Sequence, residues 1–281
     1  MKNKVVLITG ANSGVGKATA TELARMGATI IMACRNKERG EEALKEVRER
    51  SNSKKVELML CDLASLSDIR CFCEKFEEKY QRLDVLINNA GVILPRRQLT
   101  KDGFEMQLGV NHFGHFLLTN LLLNLLTNSS HARIINVSSG AHKVGKIQFE
   151  DLGLEKRYNL MKAYSRSKLA NILFTYELAR RLEGTGVTVN CLHPGAVSTN
   201  MGVDRETGFG KLIHKILKGF LQTPLEGAAT SIYLATSKEV EGVSGKYFYK
   251  QKPIESSKSS HDIDLAKRLW NVSEAVVGLK E

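Results

Sequence analysis

The stretch Thr9-Gly10-Ala11-Asn12-Ser13-Gly14-Val15-Gly16 separates the apolar run Val5–Ile8 from a segment of helical spacing, Lys17–Met26. Small residues here let the chain leave a buried strand, turn tightly and enter a helix, whose first backbone N–H groups then face an anion such as a pyrophosphate. Glycines serve plain turns as well. The strand before and the helix after are what distinguish this one. The spacing is Gly-x3-Gly-x-Gly, which departs from the Gly-x-Gly-x2-Gly dinucleotide fingerprint.

Outward from that turn, short β-branched runs recur at Val5–Ile8, Thr29–Ala33, Val56–Leu60, Leu83–Ile87, Arg133–Val137, Val187–Leu192 and Gly245–Tyr249. Each is bounded by Gly, Asn, Asp or Ser, as buried strands are. Between them lie helical patterns at Lys17–Met26, Lys37–Ser51, Leu66–Tyr80, Lys101–Thr127, Tyr158–Leu182 and Leu225–Thr236. Alternation of this kind requires right-handed crossovers and a parallel sheet covered on both faces. The expectation is an α/β chain: a single doubly wound domain with a seven-stranded parallel sheet over residues 1–249, and a C-terminal extension, 250–281, docked on it through Leu265, Leu269, Trp270 and Val272.

At 281 residues the chain can bury one substantial core. Its five cysteines are odd in number and mostly sit in apolar runs, which implies a reducing compartment without a disulfide framework. No signal-peptide pattern precedes Val5 and no apolar window reaches membrane-spanning length, so the expectation is a cytoplasmic protein. The net charge of +11 favours polyanionic partners. Its lysines and arginines are interleaved with Glu, however, and not gathered with aromatics, which argues against nucleic acid. The histidines, His112 and His115 among them, show no ligand spacing with carboxylates or thiols, and no metal is expected.

Further motifs follow in order: Asp62-Leu63, Asn88-Asn89-Ala90-Gly91, Asn111, Ser138-Ser139, Tyr164-x3-Lys168 and Pro194-Gly195. With the glycine turn, they make the chain resemble the short-chain dehydrogenase/reductase family over roughly Lys2 to Tyr249, which implies a Rossmann-type fold and a nicotinamide cofactor. The run Tyr164-Ser165-Arg166-Ser167-Lys168-Leu169-Ala170-Asn171 is similar to the retinol dehydrogenase-like branch, which protochlorophyllide reductases also resemble. That branch implies lipophilic carbonyl substrates.

Cys34-Arg35 stands where a dinucleotide fold often carries an acidic residue for the ribose, about 20 positions beyond the glycines. Without a carboxylate to repel a 2′-phosphate, and with a guanidinium to pair with it, NADP(H) is favoured. The alternative is a solvated arginine at a strand end. The cofactor set expected from the turn and the resemblance is Gly10, Asn12, Ser13, Gly14, Val15, Gly16, Arg35, Asp62, Leu63, Asn89, Ala90, Gly91, Tyr164, Lys168, Pro194, Gly195, Val197 and Thr199.

Residues four apart share a helix face, so the Lys168 ammonium sits near the Tyr164 phenol, stabilising the phenolate and lowering its pKa. Tyr164 is the candidate general acid/base. Ser139, at a strand end, would polarise the substrate carbonyl; the resemblance selects it over Ser138. The resemblance also gives Lys168 a bond to the nicotinamide ribose and places Asn111 in a proton relay. The expected function is carbonyl–alcohol interconversion by hydride transfer. Rival readings are a carbon–carbon double-bond reductase and a non-enzymatic NADP-binding redox sensor.

Two segments border the expected pocket, Gly140–Lys162 and Met201–Thr223. In the second, Phe209, Leu212, Ile213, Ile216, Leu217 and Phe220 recur at helical spacing opposite Lys211, Lys215 and Lys218. This describes a lid at 201–223, with a core helix or a basic helix in weak peripheral contact with a membrane as the other readings. A homo-oligomer through Lys101–Thr127 and Tyr158–Leu182 is a further implication of the resemblance.

Overall fold

The structure, a computed structural model, describes residues 1–197 and 222–280. Seven parallel strands are β1 (Val5–Thr9), β2 (Thr29–Cys34), β3 (Val56–Leu60), β4 (Val85–Asn88), β5 (Arg133–Val137), β6 (Thr188–Leu192) and β7 (Tyr247–Tyr249). An eighth, β8 (Lys252–Pro253), pairs antiparallel with β7, giving the order β3-β2-β1-β4-β5-β6-β7-β8. The sheet thus has eight strands, where the sequence pattern predicts seven, all parallel. The hairpin turns on Lys250 and Gln251, both at positive φ (48° and 63°). A two-residue turn needs that geometry, but these side chains lack the Asn-Gly signal that announces it.

Alternation along the strands decides the two layers, because successive side chains point to opposite faces. Leu7, Ile31, Leu86, Ile134 and Val189 face one way, onto α3 (Leu66–Lys79), α5 (His115–Leu121), α7 (Leu160–Arg181) and α9 (Ile263–Val276). Val6, Ile8, Ile30, Met32, Ile87 and Ile135 face the other, onto α1 (Gly14–Arg25), α2 (Lys37–Ser51) and α8 (Pro224–Thr236). Caps fix where several helices begin. Asn36, Ser65, Asn159 and Asp262 each accept the N–H three residues on, and Thr223 and Glu226 form a reciprocal capping box. The strand order reverses beside β1, between it and β4, and doubly wound folds bind ligands at the carboxyl ends of the strands there.

The predicted helix Lys101–Thr127 is broken. Gly103 (φ +85°) closes a small turn in which Thr100 N–H donates to Phe104 O at 2.8 Å. The helix starts only at α4 (Met106–Leu108), where the Glu105 carboxylate takes the N–H groups of Gln107 and Leu108. A π-helical turn, Gly109–Gly114, follows, then α5 and α6 (Leu123–Thr127).

Beyond β8, α9 lies on α7 with Trp270 between them. Its indole is edge-on to Phe116 (4.9 Å between centroids) and carries the Arg181 guanidinium 4.0 Å above its ring. Among the described residues no helix is long and apolar enough to cross a membrane.

Candidate active site

The glycine turn is shaped first by its own neighbours. Gly10 sits at φ +66°, and a Cβ there would lie 2.9 Å from Ala90 Cα; one on Gly16 would lie 2.5 Å from both Gly10 O and Asn89 Nδ2. These two glycines therefore let β1's exit pack against β4's. Gly14, at φ +53°, turns the chain into α1. Ser13 is the N-cap of α1 without a side-chain cap bond, and the first turn carries no acidic residue. A twelve-residue helix thus presents its N-terminal N–H groups and the positive end of its dipole outward, which fits a dinucleotide pyrophosphate. Lys17 is engaged elsewhere, in a 2.8 Å pair with Glu46.

Thr9 joins the two strand ends. Its Oγ accepts the N–H groups of Asn89 (2.9 Å) and Ala90 (3.0 Å) and lies 2.8 Å from His115 Nε2. Having accepted two donors, the hydroxyl gives its own proton to His115, whose Nδ1–H in turn meets Asn111 O at 3.1 Å. Burial lowers the His115 pKa to about 4, so the ring stays neutral and this chain of bonds holds. The sequence reading missed Thr9 and His115. A threonine ending a buried strand directly before the turn was the available signal. Asn89 Nδ2 donates to Thr9 O at 2.8 Å, which fixes the turn from the other side.

At the end of β2, Cys34 is buried beneath the turn and takes the backbone N–H groups of Ala11 and Asn12; burial raises its pKa to about 12. Arg35 follows, exposed. After β3, Asp62 accepts the Ala64 N–H (3.1 Å) and lies 3.7 Å from Lys101 Nζ, so it closes its own turn. Leu63 is buried against Gly114 of the π turn.

The candidate catalytic residues gather at the carboxyl end of β5. Ser138 and Ser139 point to opposite sides of extended backbone. Ser138 Oγ donates to Lys168 O at 2.7 Å and ties α7 to the sheet, whereas Ser139 Oγ accepts the Ala141 N–H at 3.2 Å and is hydrogen-bonded to Tyr164. Lys168 is 1% exposed, reaches Val137 O at 3.1 Å and lies 5.7 Å from the Tyr164 ring centroid. Burial alone lowers its pKa to about 8. The Tyr164 phenol stands above its ordinary pKa, because burial outweighs the bond from Ser139. The downward pull expected from Lys168 does not set the net direction here, since Nζ is turned to the Val137 carbonyl.

Asn111 occupies the π turn. Its Oδ1 accepts the Val92 N–H at 2.8 Å, while Nδ2 reaches Val92 O at 3.1 Å and Ser167 Oγ at 2.9 Å; Ser167 Oγ donates to Tyr164 O at 2.8 Å. The amide thus holds the chain after Gly91 against the helix that carries Tyr164. His112 and His115 diverge, to Ser273 at 2.9 Å and to Thr9.

Pro194-Gly195 follows β6. Gly195 (φ +86°) gives its N–H to His193 Nδ1 at 3.1 Å, and a Cβ there would meet Gln222 Oε1 at 2.4 Å. Val197 bridges to Gln222; a Cβ on Gly227 would lie 2.5 Å from Val197 and 3.1 Å from Val15, which places the glycine turn and the Pro-Gly loop around the start of α8. Thr199 and the lid at 201–223, apart from Gln222 and Thr223, lie outside the described residues.

In comparisons with known proteins, a family model described as short chain dehydrogenase matches residues 4–208. The chain is 53% identical to mouse retinol dehydrogenase 14, covering 99% of this chain and 87% of that protein. It is 47% identical to human retinol dehydrogenase 12, covering 100% and 88%. Among solved structures, an uncharacterized protein from Mycobacterium paratuberculosis superposes with TM-score 0.79 at 37% identity, covering 99% of this chain and 94% of the other. A short chain dehydrogenase from Pseudomonas syringae gives TM-score 0.72 at 26% identity, covering 89% and 95%.

Proposed function

Since the chain belongs to the short-chain dehydrogenase/reductase family, in its retinol dehydrogenase-like branch, and is therefore an oxidoreductase acting on CH–OH groups, we propose that it uses NADP(H) to interconvert a carbonyl and an alcohol on a lipophilic substrate. The observation that carries the proposal is the meeting of Ser139, Tyr164 and Lys168 at the carboxyl end of β5, on the same edge of the sheet as the uncapped N-terminus of α1 after β1. The cofactor would lie across the strand ends, with its pyrophosphate on the Ser13–Gly16 backbone and its adenosine phosphate toward Arg35. When bound, it supplies or removes a hydride.

The remaining chemistry belongs to the chain. A phenol held above its ordinary pKa is protonated through the neutral range, as a proton donor must be, and Tyr164 donates to the carbonyl oxygen. The Ser139 hydroxyl donates to that same oxygen as negative charge develops on it. Lys168, charged below about pH 8, stabilises the phenolate left behind. Asn111 keeps Tyr164's helix in register with the loop after β4, so its part in the chemistry is to hold these groups in place. The lipophilic preference is supported by relatives whose names carry retinol, an apolar alcohol.

The test is consumption of NADPH, with NADH in parallel, against aliphatic, aromatic and retinoid aldehydes, with products identified as alcohols. Tyr164→Phe is expected to lower kcat by at least about 10³-fold and Ser139→Ala by about 10²-fold, with NADPH binding retained. Ser138→Ala is expected to keep kcat and lose about 1 kcal/mol of stability, the worth of its bond to Lys168 O. Saturated carbon–carbon bonds among the products, or full activity in Tyr164→Phe, would reject the proposal.

A further inference from the structure

The carbonyl oxygen of Ser139 receives two donors from one residue. His142 N–H reaches it at 3.1 Å, closing the first turn of the short 3₁₀ helix Gly140–Val144, and His142 Nδ1 lies closer, at 2.7 Å. A 3₁₀ turn alone has poor hydrogen-bond geometry and is a weak restraint. The second donor is a buried one. His142 is 0% exposed, its ring lies edge-on to Tyr247 with centroids 4.9 Å apart, and water does not compete for its nitrogens.

The other ring nitrogen, Nε2, lies 3.1 Å from the backbone N of Ser257, in the segment that follows β8. A carbonyl only accepts and a backbone N–H only donates, so the two contacts fix the tautomer: Nδ1 carries the proton and Nε2 is bare. Burial, reinforced by the charge of Lys143 and opposed by the bond to Ser139 O, holds the ring below its ordinary pKa and therefore neutral. The segment on the far side is itself anchored. Ser256 Oγ lies 2.8 Å from Tyr176 Oη, on α7, and 2.7 Å from Ser260 Oγ, which donates to Ser257 O at 2.5 Å.

We infer that His142 is a positioning residue for Ser139: its ring, held as the Nδ1–H tautomer by the Ser257 N–H, grips the Ser139 carbonyl and so sets where the Ser139 hydroxyl points. Ser139 is extended (φ −157°, ψ 154°), and its Oγ also caps the 3₁₀ helix through Ala141 N–H. With the carbonyl gripped, the Cα–Cβ direction is fixed, and the cap bond selects one rotamer, the one that meets Tyr164. The segment after β8 contributes through the Ser257 N–H, which keeps Nε2 bare and so leaves the proton on Nδ1, toward Ser139 O. This inference rests on the proposed role of Ser139.

Two substitutions separate the ring's two bonds. In His142→Asn the amide N–H takes the place of Nδ1 and keeps the grip on Ser139 O, while the contact with Ser257 is lost. In His142→Gln the longer side chain offers its amide oxygen near Nε2 and loses the donor to Ser139. We expect His142→Asn to keep kcat within about threefold of wild type, and His142→Gln to lose about tenfold or more, with the NADPH Kd unchanged and similar Tm in both. Equal kcat in wild type and His142→Gln overturns the inference while leaving the enzyme reading intact. So does an equal loss in both variants that follows Tm. A wild type that binds NADPH and turns over no carbonyl compound defeats the enzyme reading, and the inference with it. Independently of turnover, ¹⁵N-histidine NMR should find His142 neutral with the proton on Nδ1; a proton on Nε2 overturns the clamp.

Discussion

Lys168 holds an amino group in a place where water does not reach, and burial alone brings its pKa to about 8 from an ordinary 10.5. The cofactor-free chain therefore gains stability as pH rises from about 8 toward 10.5, because over that window the unfolded lysine binds protons that the folded one has released. An anionic dinucleotide bound beside Nζ would restore the charge, so NADPH binding is expected to take up a proton above about pH 8. The NADPH Kd is then expected to weaken above that pH, approaching tenfold per unit, and to lose this dependence in Lys168→Met. Calorimetry in two buffers of different ionisation heat reads the proton directly; no uptake at pH 9 would show that Nζ and the dinucleotide do not interact. Much at this scale was legible: the Tyr164–Lys168 spacing fixes a shared helix face before any coordinates. Which serine of the pair would face Tyr164 was expected only through resemblance, because two adjacent serines differ solely in the side of an extended chain they face. Thr9 and His115 went unread because their roles rest on contacts across 106 positions of sequence.

At the scale of elements, the π turn Gly109–Gly114 does what a regular helix over Lys101–Thr127 would not. It inserts a residue, so that Asn111 turns toward Val92 and Ser167 while Gly114 meets the loop after β3. No proline or charge marks such a turn, which is why hydrophobic periodicity reads the segment as one helix. Gly103 did mark the delayed start. A Cβ on Gly114 would lie 2.6 Å from Leu63 O and 3.1 Å from Leu63 Cβ, and a backbone carbonyl yields less readily than a flexible side chain. Gly114→Ala is expected to push the Asp62-Leu63 loop and the π turn apart, lowering stability by about 1–3 kcal/mol and weakening NADPH binding by severalfold. Urea unfolding and a Kd titration check both effects; unchanged values would mean that the loop relaxes freely and does not border the cofactor.

At the scale of the whole molecule, the two ends of the sheet are built for different work. The carboxyl ends of the strands carry the glycine turn, Ser139 and the Pro-Gly loop, while the amino ends are stitched together by a buried acid. Asp84, 2% exposed just before β4, accepts Val5 N–H at 2.8 Å, Lys4 Nζ at 2.9 Å and Ser129 Oγ at 2.7 Å, and its own carbonyl takes the Arg133 N–H at 3.0 Å. One side chain thereby joins the starts of β1 and β4 to the chain entering β5, a junction that strand patterning locates without revealing its polar anchor. The eighth strand escaped for a related reason, since a two-residue edge has no periodicity to read. Burial pushes the Asp84 pKa up, but the Val5, Lys4 and Ser129 bonds push it down further, and the net direction is below the ordinary carboxylate value. Its contribution to stability is therefore complete above the unfolded carboxylate range and is lost as pH falls through the lower folded value. Asp84→Asn keeps the shape but weakens three charge-assisted or polar bonds, and should cost of order 1–3 kcal/mol at pH 7. The gap between variant and wild type should persist down to about pH 4 and close only below it, in urea midpoints measured across that range. A gap already closed at pH 5 would mean that the folded pKa is not depressed, and that the sheet's amino end is held by burial rather than by this carboxylate.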